Sequence, residues 1–364
     1  MGYFKKIDFN NYRNFLKSTY FFSENCNIII GKNGSGKTNI LEGMSLLEKG
    51  RGFRKESIIN LINYKNIYKN FHIKSDFYNN NINYTIDVYC TEKRLKKLSV
   101  NNSLEIDSIK HFESLFSIIY FLPEMERLFV ASPSIRRNFL DRLIYSSYKN
   151  YNSIVNNYKK SIRERQILLK NNNYDEEWIA KIESNIVSYG NIIYQKRLSH
   201  IETLNKILKN LKAIKHFSNN FILRIKDDLL EYSPEILNDK NIYLTKLKEN
   251  RKTDFFSGGC TIGPHRSDIV GFNEEDNFNL NQLSTGQQKT IVLLLIIAQS
   301  EFLIKNLNLK PIILLDEICS HLDDDNRQLL LYLIEELDVQ VFMTGTDKNF
   351  FSFLSTKANY CNIT

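Results

Sequence analysis

Eight residues limit what this chain can fold into more than any others. Gly31-Lys32-Asn33-Gly34-Ser35-Gly36-Lys37-Thr38 fits the pattern GxxxxGK[ST]. An apolar run, Asn27 to Ile30, precedes it and a helical pattern, Asn39 to Glu48, follows. A buried strand must therefore pass through a glycine turn into a helix N-terminus. The glycines let main-chain N–H groups turn inward around phosphate oxygens. The helix end adds the positive pole of its dipole. Lys37 places a point charge on the β- and γ-phosphates, and the Thr38 hydroxyl can hold Mg²⁺. The expected nucleotide contacts are Gly31, Lys32, Asn33, Gly34, Ser35, Gly36, Lys37, Thr38 and Asn39, with ATP and Mg²⁺ as cofactors.

A second motif completes the chemistry. Ile312-Ile313-Leu314-Leu315 ends in Asp316-Glu317. A buried parallel strand ends this way when its carboxyl edge carries a site. Asp316 is expected to hold Mg²⁺ through its water shell. Glu317 is expected to polarise the attacking water as general base, with Lys37 as the other catalytic group. Most of the chain separates Lys37 from Asp316, more than a compact NTPase needs, so the nucleotide domain must carry an insertion. Leu283-Ser284-Thr285-Gly286-Gln287-Gln288-Lys289 resembles the LSGGQ signature of ABC-type ATPases. It precedes an apolar helical run, so Ser284, Thr285, Gly286 and Gln287 open a helix. In that class this end meets the γ-phosphate held by the opposite subunit. Ser320-His321-Leu322-Asp323 resembles the D-loop of the same class. No histidine follows the strand Val339 to Met343, where a transporter subunit has its switch residue; Thr344 and Thr346 stand there.

The insertion is helical. After Pro133, Leu140, Leu143, Ile144, Tyr151, Ile154, Tyr158 and Ile162 recur at three- and four-residue spacing. Asn171 to Asp175 interrupts, and a second run follows from Trp178 to Leu211. This predicts an antiparallel hairpin, each arm reaching roughly 50 Å. It is either a packed helical subdomain or a projecting arm, with Trp178 packed inside it. The fold class expected is α/β: an ABC-type P-loop ATPase head with an inserted helical domain. Residues 1–122 form one lobe of the head, 123–215 the helical domain, and 216–364 the other lobe. Paired strands are expected at Phe71 to Phe77 and Tyr84 to Cys90, and a strand at Phe221 to Ile225. Asn-rich stretches such as Asn79-Asn80-Asn81 read as compositional bias.

Bulk properties exclude other classes. The 364 residues suggest about two domains. There are five cysteines and no CxxC, which argues against a zinc hook or a disulfide framework. The start MGYFKKIDFN has no apolar core, so no signal peptide is expected. The longest apolar run, Ile291 to Ala298, falls short of the roughly 20 residues a membrane span needs. A net charge of +8 favours a polyanionic partner.

Further segments resemble the RecF family of bacterial DNA replication and repair proteins, essentially over the full length. They are Asn11-Tyr12-Arg13-Asn14-Phe15, Gly31 to Asn39 with Leu41-Glu42, Arg51-Gly52-Phe53-Arg54, Phe121-Leu122-Pro123-Glu124 and Ser132 to Asp141. Most specific is Thr261-Ile262-Gly263-Pro264-His265-Arg266-Ser267-Asp268. The resemblance implies a cytoplasmic, ATP-dependent homodimer on double-stranded DNA and duplex–single-strand junctions. It implies a weak, DNA-stimulated ATPase that works with RecR and RecO to place RecA on gaps. Met125 and His321 depart from the family, which often has Asp and Glu there. By resemblance Arg13 could contact the nucleotide. Arg51, Arg54, Arg136 and Arg137 are candidates for DNA contact, the last two alternatively for salt bridges opening a helix. Lys93 to Lys97 reads as a solvated basic turn, with phosphate contact as the alternative.

Three other readings compete. A tether like SMC or Rad50 needs far longer coiled coils. A nuclease needs a further acidic metal domain. A transporter subunit needs the absent switch histidine.

Overall fold

The computed structural model describes residues 2–48, 50–65, 70–90, 95–171, 175–211, 221–275, 277–318 and 323–363. The chain begins with β1 (Tyr3–Tyr12), β2 (Phe15–Phe21), β3 (Cys26–Ile30), α1 (Lys37–Ser45) and α2 (Ile58–Leu61). It continues through β4 (His72–Asn79), β5 (Ile82–Cys90), β6 (Lys96–Val100), α3 (Ile106–Leu115) and β7 (Ser117–Phe121). Then come α4 (Pro133–Ser147), α5 (Tyr151–Lys170), α6 (Glu176–Asn210), β8 (Phe221–Lys226) and α7 (Asp228–Tyr232). Next are α8 (Lys240–Glu249), α9 (Arg251–Ser257), β9 (Asp268–Asn273), β10 (Phe278–Asn279) and α10 (Thr285–Leu307). The last are β11 (Pro311–Leu315), α11 (Asp324–Leu331), β12 (Gln340–Gly345) and β13 (Ala358–Asn362).

Two compact units result. One is built mainly from Met1–Glu126 and Lys289–Thr364, the other from Arg127–Asn210 and Ser218–Gln288. The first holds two five-stranded sheets. The antiparallel sheet, in order β2-β1-β4-β5-β6, turns one face inward through alternating residues such as Phe4, Ile7 and Phe9. Asn80 and Asn81 join β4 to β5 with φ of 48° and 65°, the paired left-handed conformations of a tight hairpin turn. That asparagine tract is therefore structural as well as a matter of composition.

The other sheet, β13-β3-β12-β11-β7, is wholly parallel. Its central strands are mostly apolar, and all of β11 and β12 is buried, whereas the edge strand β13 is half polar. That is the pattern of a sheet covered on both faces. α10 is long and apolar enough to cross a membrane by length and composition, but 78% of its most apolar window is buried inside the protein.

The second unit corrects three expectations. The first helical run is two helices, α4 and α5, because Tyr148 leaves the helix at φ −130° and ψ 89°. Both helices bury the same kind of face, so the periodicity runs through the break. The hairpin of α5 and α6 does form, with arms of about 30 Å and 50 Å. α6 buries residues from Ile179 to Leu208 against α4, α5, α8 and β8, so it is a packed core helix. Trp178 lies outside that core, 58% exposed. Finally, residues 218–288, expected in the head, belong here. β8 pairs with β9 and β9 with β10, while Tyr243 and Leu247 of α8 are fully buried.

Candidate nucleotide-binding site

The parallel register sets the site. β3 lies between β12 and β13, and β12 lies beside β11, so the C-terminal ends of β3, β11 and β12 adjoin. Past β3, the Gly31 N–H donates to the Gly345 carbonyl at the end of β12 (3.3 Å), and Ser35 N–H to Lys32 O (3.1 Å). Gly36 adopts φ +108°, and a Cβ there would lie 2.6 Å from the Asn14 side chain. Only glycine fits that backbone and that space. The Lys37 ammonium is buried within the loop, donating to Gly31 O (2.9 Å) and Lys32 O (3.1 Å).

One carboxylate oxygen organises the rest. Asp316 Oδ1 accepts the Thr38 hydroxyl at 3.0 Å and the Thr344 hydroxyl at 2.7 Å. The Thr344 oxygen in turn accepts the Glu317 N–H at 2.8 Å. Glu317 sits at φ +51°, a left-handed conformation that costs a non-glycine residue energy. The bond from Thr344 helps hold it there, and the Glu317 side chain is exposed. Thr38 and Asp316 thus offer adjacent hard oxygens, the donor type that suits Mg²⁺. The glycine loop with its inward ammonium suits polyphosphate.

Thr344 was not among the expected site residues. Its signal in the sequence is a hydroxyl directly after the apolar run Val341-Phe342-Met343. Asn14 was also missed. Its amide donates to Ser35 O (2.8 Å) and its oxygen accepts from Asn39 (2.8 Å), so the β1–β2 turn braces the loop. Arg54 continues the chain of bonds, donating to Asn39 Oδ1 at 3.0 Å.

Arg13 makes a two-pronged pair with Glu42, Nε to Oε2 at 2.8 Å and Nη2 to Oε1 at 2.7 Å. Glu42 is fully buried in α1 and also accepts the Tyr12 hydroxyl. Arg13 therefore fastens the β1–β2 turn to the helix that follows the phosphate loop. Arg51 is exposed. Lys93 and Arg94 lie outside the described residues, whereas Lys96 donates to the carbonyls of Leu46, Glu48 and Gly50.

Ser284 caps α10. Its hydroxyl accepts the Gln287 N–H (3.3 Å), and the Gln287 side chain accepts the Ser284 N–H (3.0 Å). This is a reciprocal capping box. Ser284, Thr285, Gly286 and Gln287 are all exposed. Of the expected D-loop, Ser320, His321 and Leu322 lie outside the described residues. Asp323 caps α11 by accepting the Asn326 N–H at 2.9 Å.

In the second unit the segment Thr261–Asp268 is an internal clasp. Asp254 accepts from both the N–H and the hydroxyl of Thr261 (2.8 and 2.7 Å). Arg197 donates to Pro264 O at 2.5 Å. His265 bonds Tyr158 (2.7 Å) and Cys260 O (2.9 Å), and Ser267 donates to Asp227 (2.5 Å). Arg136 makes a two-pronged pair with Asp268 at 2.7 Å, and Arg137 donates to Ser267 O. Gly263, at φ +120°, passes between the hydroxyls of Tyr158 and Tyr243, each 2.4 Å from where a Cβ would be. Arg136 is thus committed internally.

A phosphate loop and an acidic strand end on adjoining parallel strands, with a helical insertion, define the head of an ABC-type P-loop ATPase. The family model described as RecF/RecN/SMC N terminal domain matches residues 3–360, and the chain belongs to that family, on its RecF branch. It is 30% identical to "DNA replication and repair protein RecF" of Rickettsia conorii, covering 97% of this chain and 96% of that one. It is 28% identical to the protein of the same name from Rhizobium rhizogenes, covering 99% and 96%. A solved structure described as "the recombination mediator protein RecF-ATPrS in RecFOR pathway" superposes with a TM-score of 0.81. It is 27% identical and covers 96% of this chain and 94% of that one. The Smc head domain from Pyrococcus furiosus shares the fold, with a TM-score of 0.55 at 18% identity.

Proposed function

We propose that this protein is an ATP-dependent DNA-binding ATPase of DNA replication and recombinational repair. The observation that carries the reading is the shared oxygen of Asp316, which ties the phosphate-loop hydroxyl of Thr38 and, through Thr344, the backbone of Glu317 into one cluster. Lys37 and the loop amides would hold the phosphates of ATP, and Thr38 and Asp316 would hold Mg²⁺. Bound Mg²⁺ would supply charge neutralisation between the phosphates. Glu317, exposed beside Asp316, would orient the attacking water.

The exposed turn Ser284–Gln287 would complete the nucleotide site of a second copy. The turn is exposed at the N-terminus of a 23-residue helix, whose dipole end favours an anionic phosphate. ATP would thereby close a homodimer on duplex DNA or duplex–single-strand junctions, with Arg51 and Arg54 as candidate contacts. A solved relative is described as a recombination mediator in the RecFOR pathway, which supports a role in that pathway. In this reading the chain works with RecR and RecO to place RecA at gaps, in the cytoplasm. Weak hydrolysis, stimulated by DNA, would reset the dimer.

Sedimentation of the Glu317→Gln variant tests this. With ATP and a gapped duplex it should run as a dimer that carries the DNA, while turnover falls by about 10²–10⁴-fold. A monomer indifferent to both ATP and DNA would withdraw the dimer and the signature role.

A further inference from the structure

The unit of Arg127–Asn210 and Ser218–Gln288 contains a cleft of about 230 Å³ that the nucleotide site does not use. Ser134, Arg137, Asn138, Lys159, Arg197 and His265 are among the residues lining it. Asp141 is the one acid in that lining, and it is spent: Arg197 takes both its oxygens at 2.8 Å, and Tyr151 donates to one of them. The cleft therefore presents an excess of donors and positive charge.

Arg137 stands out from its neighbours. Arg136, Arg165, Arg197 and Arg251 each hold at least one carboxylate. Arg137 is half-buried, and it donates to a main-chain carbonyl, Ser267 O. Among the described residues no carboxylate lies within ion-pair distance of it. Burial and the charge of Arg197 pull its pKa below that of a free guanidinium; Asp268 and Asp141 offset this in part, and Arg266 adds to it. A half-buried guanidinium without a directly paired carboxylate gains from an anion that joins it. A planar fork with unused N–H groups matches a phosphate oxyanion, which only accepts. The volume lies below the ~300–1,000 Å³ of sites for drug-sized ligands, which favours a small anion.

We propose that this cleft is a phosphate-binding site, with Arg137 as its main ligand and Lys159 at its rim. The phosphate is either the free anion or a phosphodiester of a nucleic-acid backbone. The site is independent of the nucleotide reading.

The probe is inorganic phosphate, titrated calorimetrically into the full chain carrying Lys37→Ala, which removes the phosphate loop as a competitor. Saturable binding is expected. Adding Arg137→Gln should weaken it on the order of ten-fold, the loss of one charge-assisted hydrogen bond. Lys159→Glu, at an exposed position where folding is not at stake, should weaken it in the same direction. Circular dichroism checks that each variant is folded. Failure of the Lys37→Ala chain to bind phosphate would overturn the proposal, as would binding that both added substitutions leave unchanged. A blunt, unphosphorylated duplex then identifies the source. If it displaces phosphate, the ligand is a backbone phosphodiester; if it does not, the ligand is the free anion.

Discussion

At the ends of β3, β11 and β12, one aspartate oxygen serves two hydroxyls and the next acid is exposed. In the other unit Arg165 is 1% exposed, and its donors go to Glu183, Asp254 and Leu247 O. Glu183 also takes Arg251, and Asp254 also takes Thr261. The first cluster keeps capacity in reserve, because Thr38 and Asp316 have lone pairs to offer a cation. The second is closed, each charge answered by another inside the fold. A dense polar motif therefore has two meanings. Reserve capacity beside a strand end marks chemistry, and full commitment marks a fastening.

The largest test of this contrast is Asp254→Ala. It would strand the buried Arg165 and release Thr261, at a cost of about 3–5 kcal/mol. Urea unfolding followed by Trp178, the single tryptophan, should show the loss. Affinity for ATP, measured where the variant is still folded, should be unchanged. A loss of affinity would break the distinction.

Thr344→Val comes next. The shape is kept and the hydroxyl that links Asp316 to Glu317 is gone. Steady-state turnover should fall about ten-fold, with a change under about 1 kcal/mol in stability. Thr344→Ser should restore most of the rate. Equal loss in both variants would make Thr344 a packing residue.

The smallest effect is one of pH. Burial lowers the pKa of His265, so the folded protein resists its protonation. Its contribution to stability is full above the ordinary histidine value of about 6.5 and is lost as pH falls toward the folded value. The melting temperature should therefore drop between pH 7.5 and 5.5, and His265→Gln should flatten part of that drop. An identical drop in the variant would assign the sensitivity elsewhere.

Sequence reading reached the strands and turns whose chemistry is local. The phosphate loop, the acidic strand end and the capped signature helix are each written in fewer than ten residues. It missed what depends on distant partners. β13 is half polar and is a strand only because β3 pairs with it. Residues 218–288 carry mixed α/β character that fits either unit, and only the pairing of β8 with β9 and the burial of α8 decide between them. Trp178 points to solvent while its neighbour Ile179 is fully buried, so spacing places it on the wrong face of α6. In the sequence Arg136 is open between DNA contact and a salt bridge; it makes the salt bridge, but with Asp268, 132 positions away, a partner no local pattern shows.

The pairing of β3 has a consequence for how the protein is made. Its neighbours in the sheet, β12 and β13, begin only at Gln340 and Ala358. A ribosome adding about 5–20 residues per second delivers the phosphate-loop segment tens of seconds before either neighbour exists. Every residue of the other unit emerges in that interval. A nascent chain stopped before Gln340 would carry the whole glycine motif on a strand with no partner. The ability to hold a nucleotide therefore waits on strands made long after the glycine motif itself.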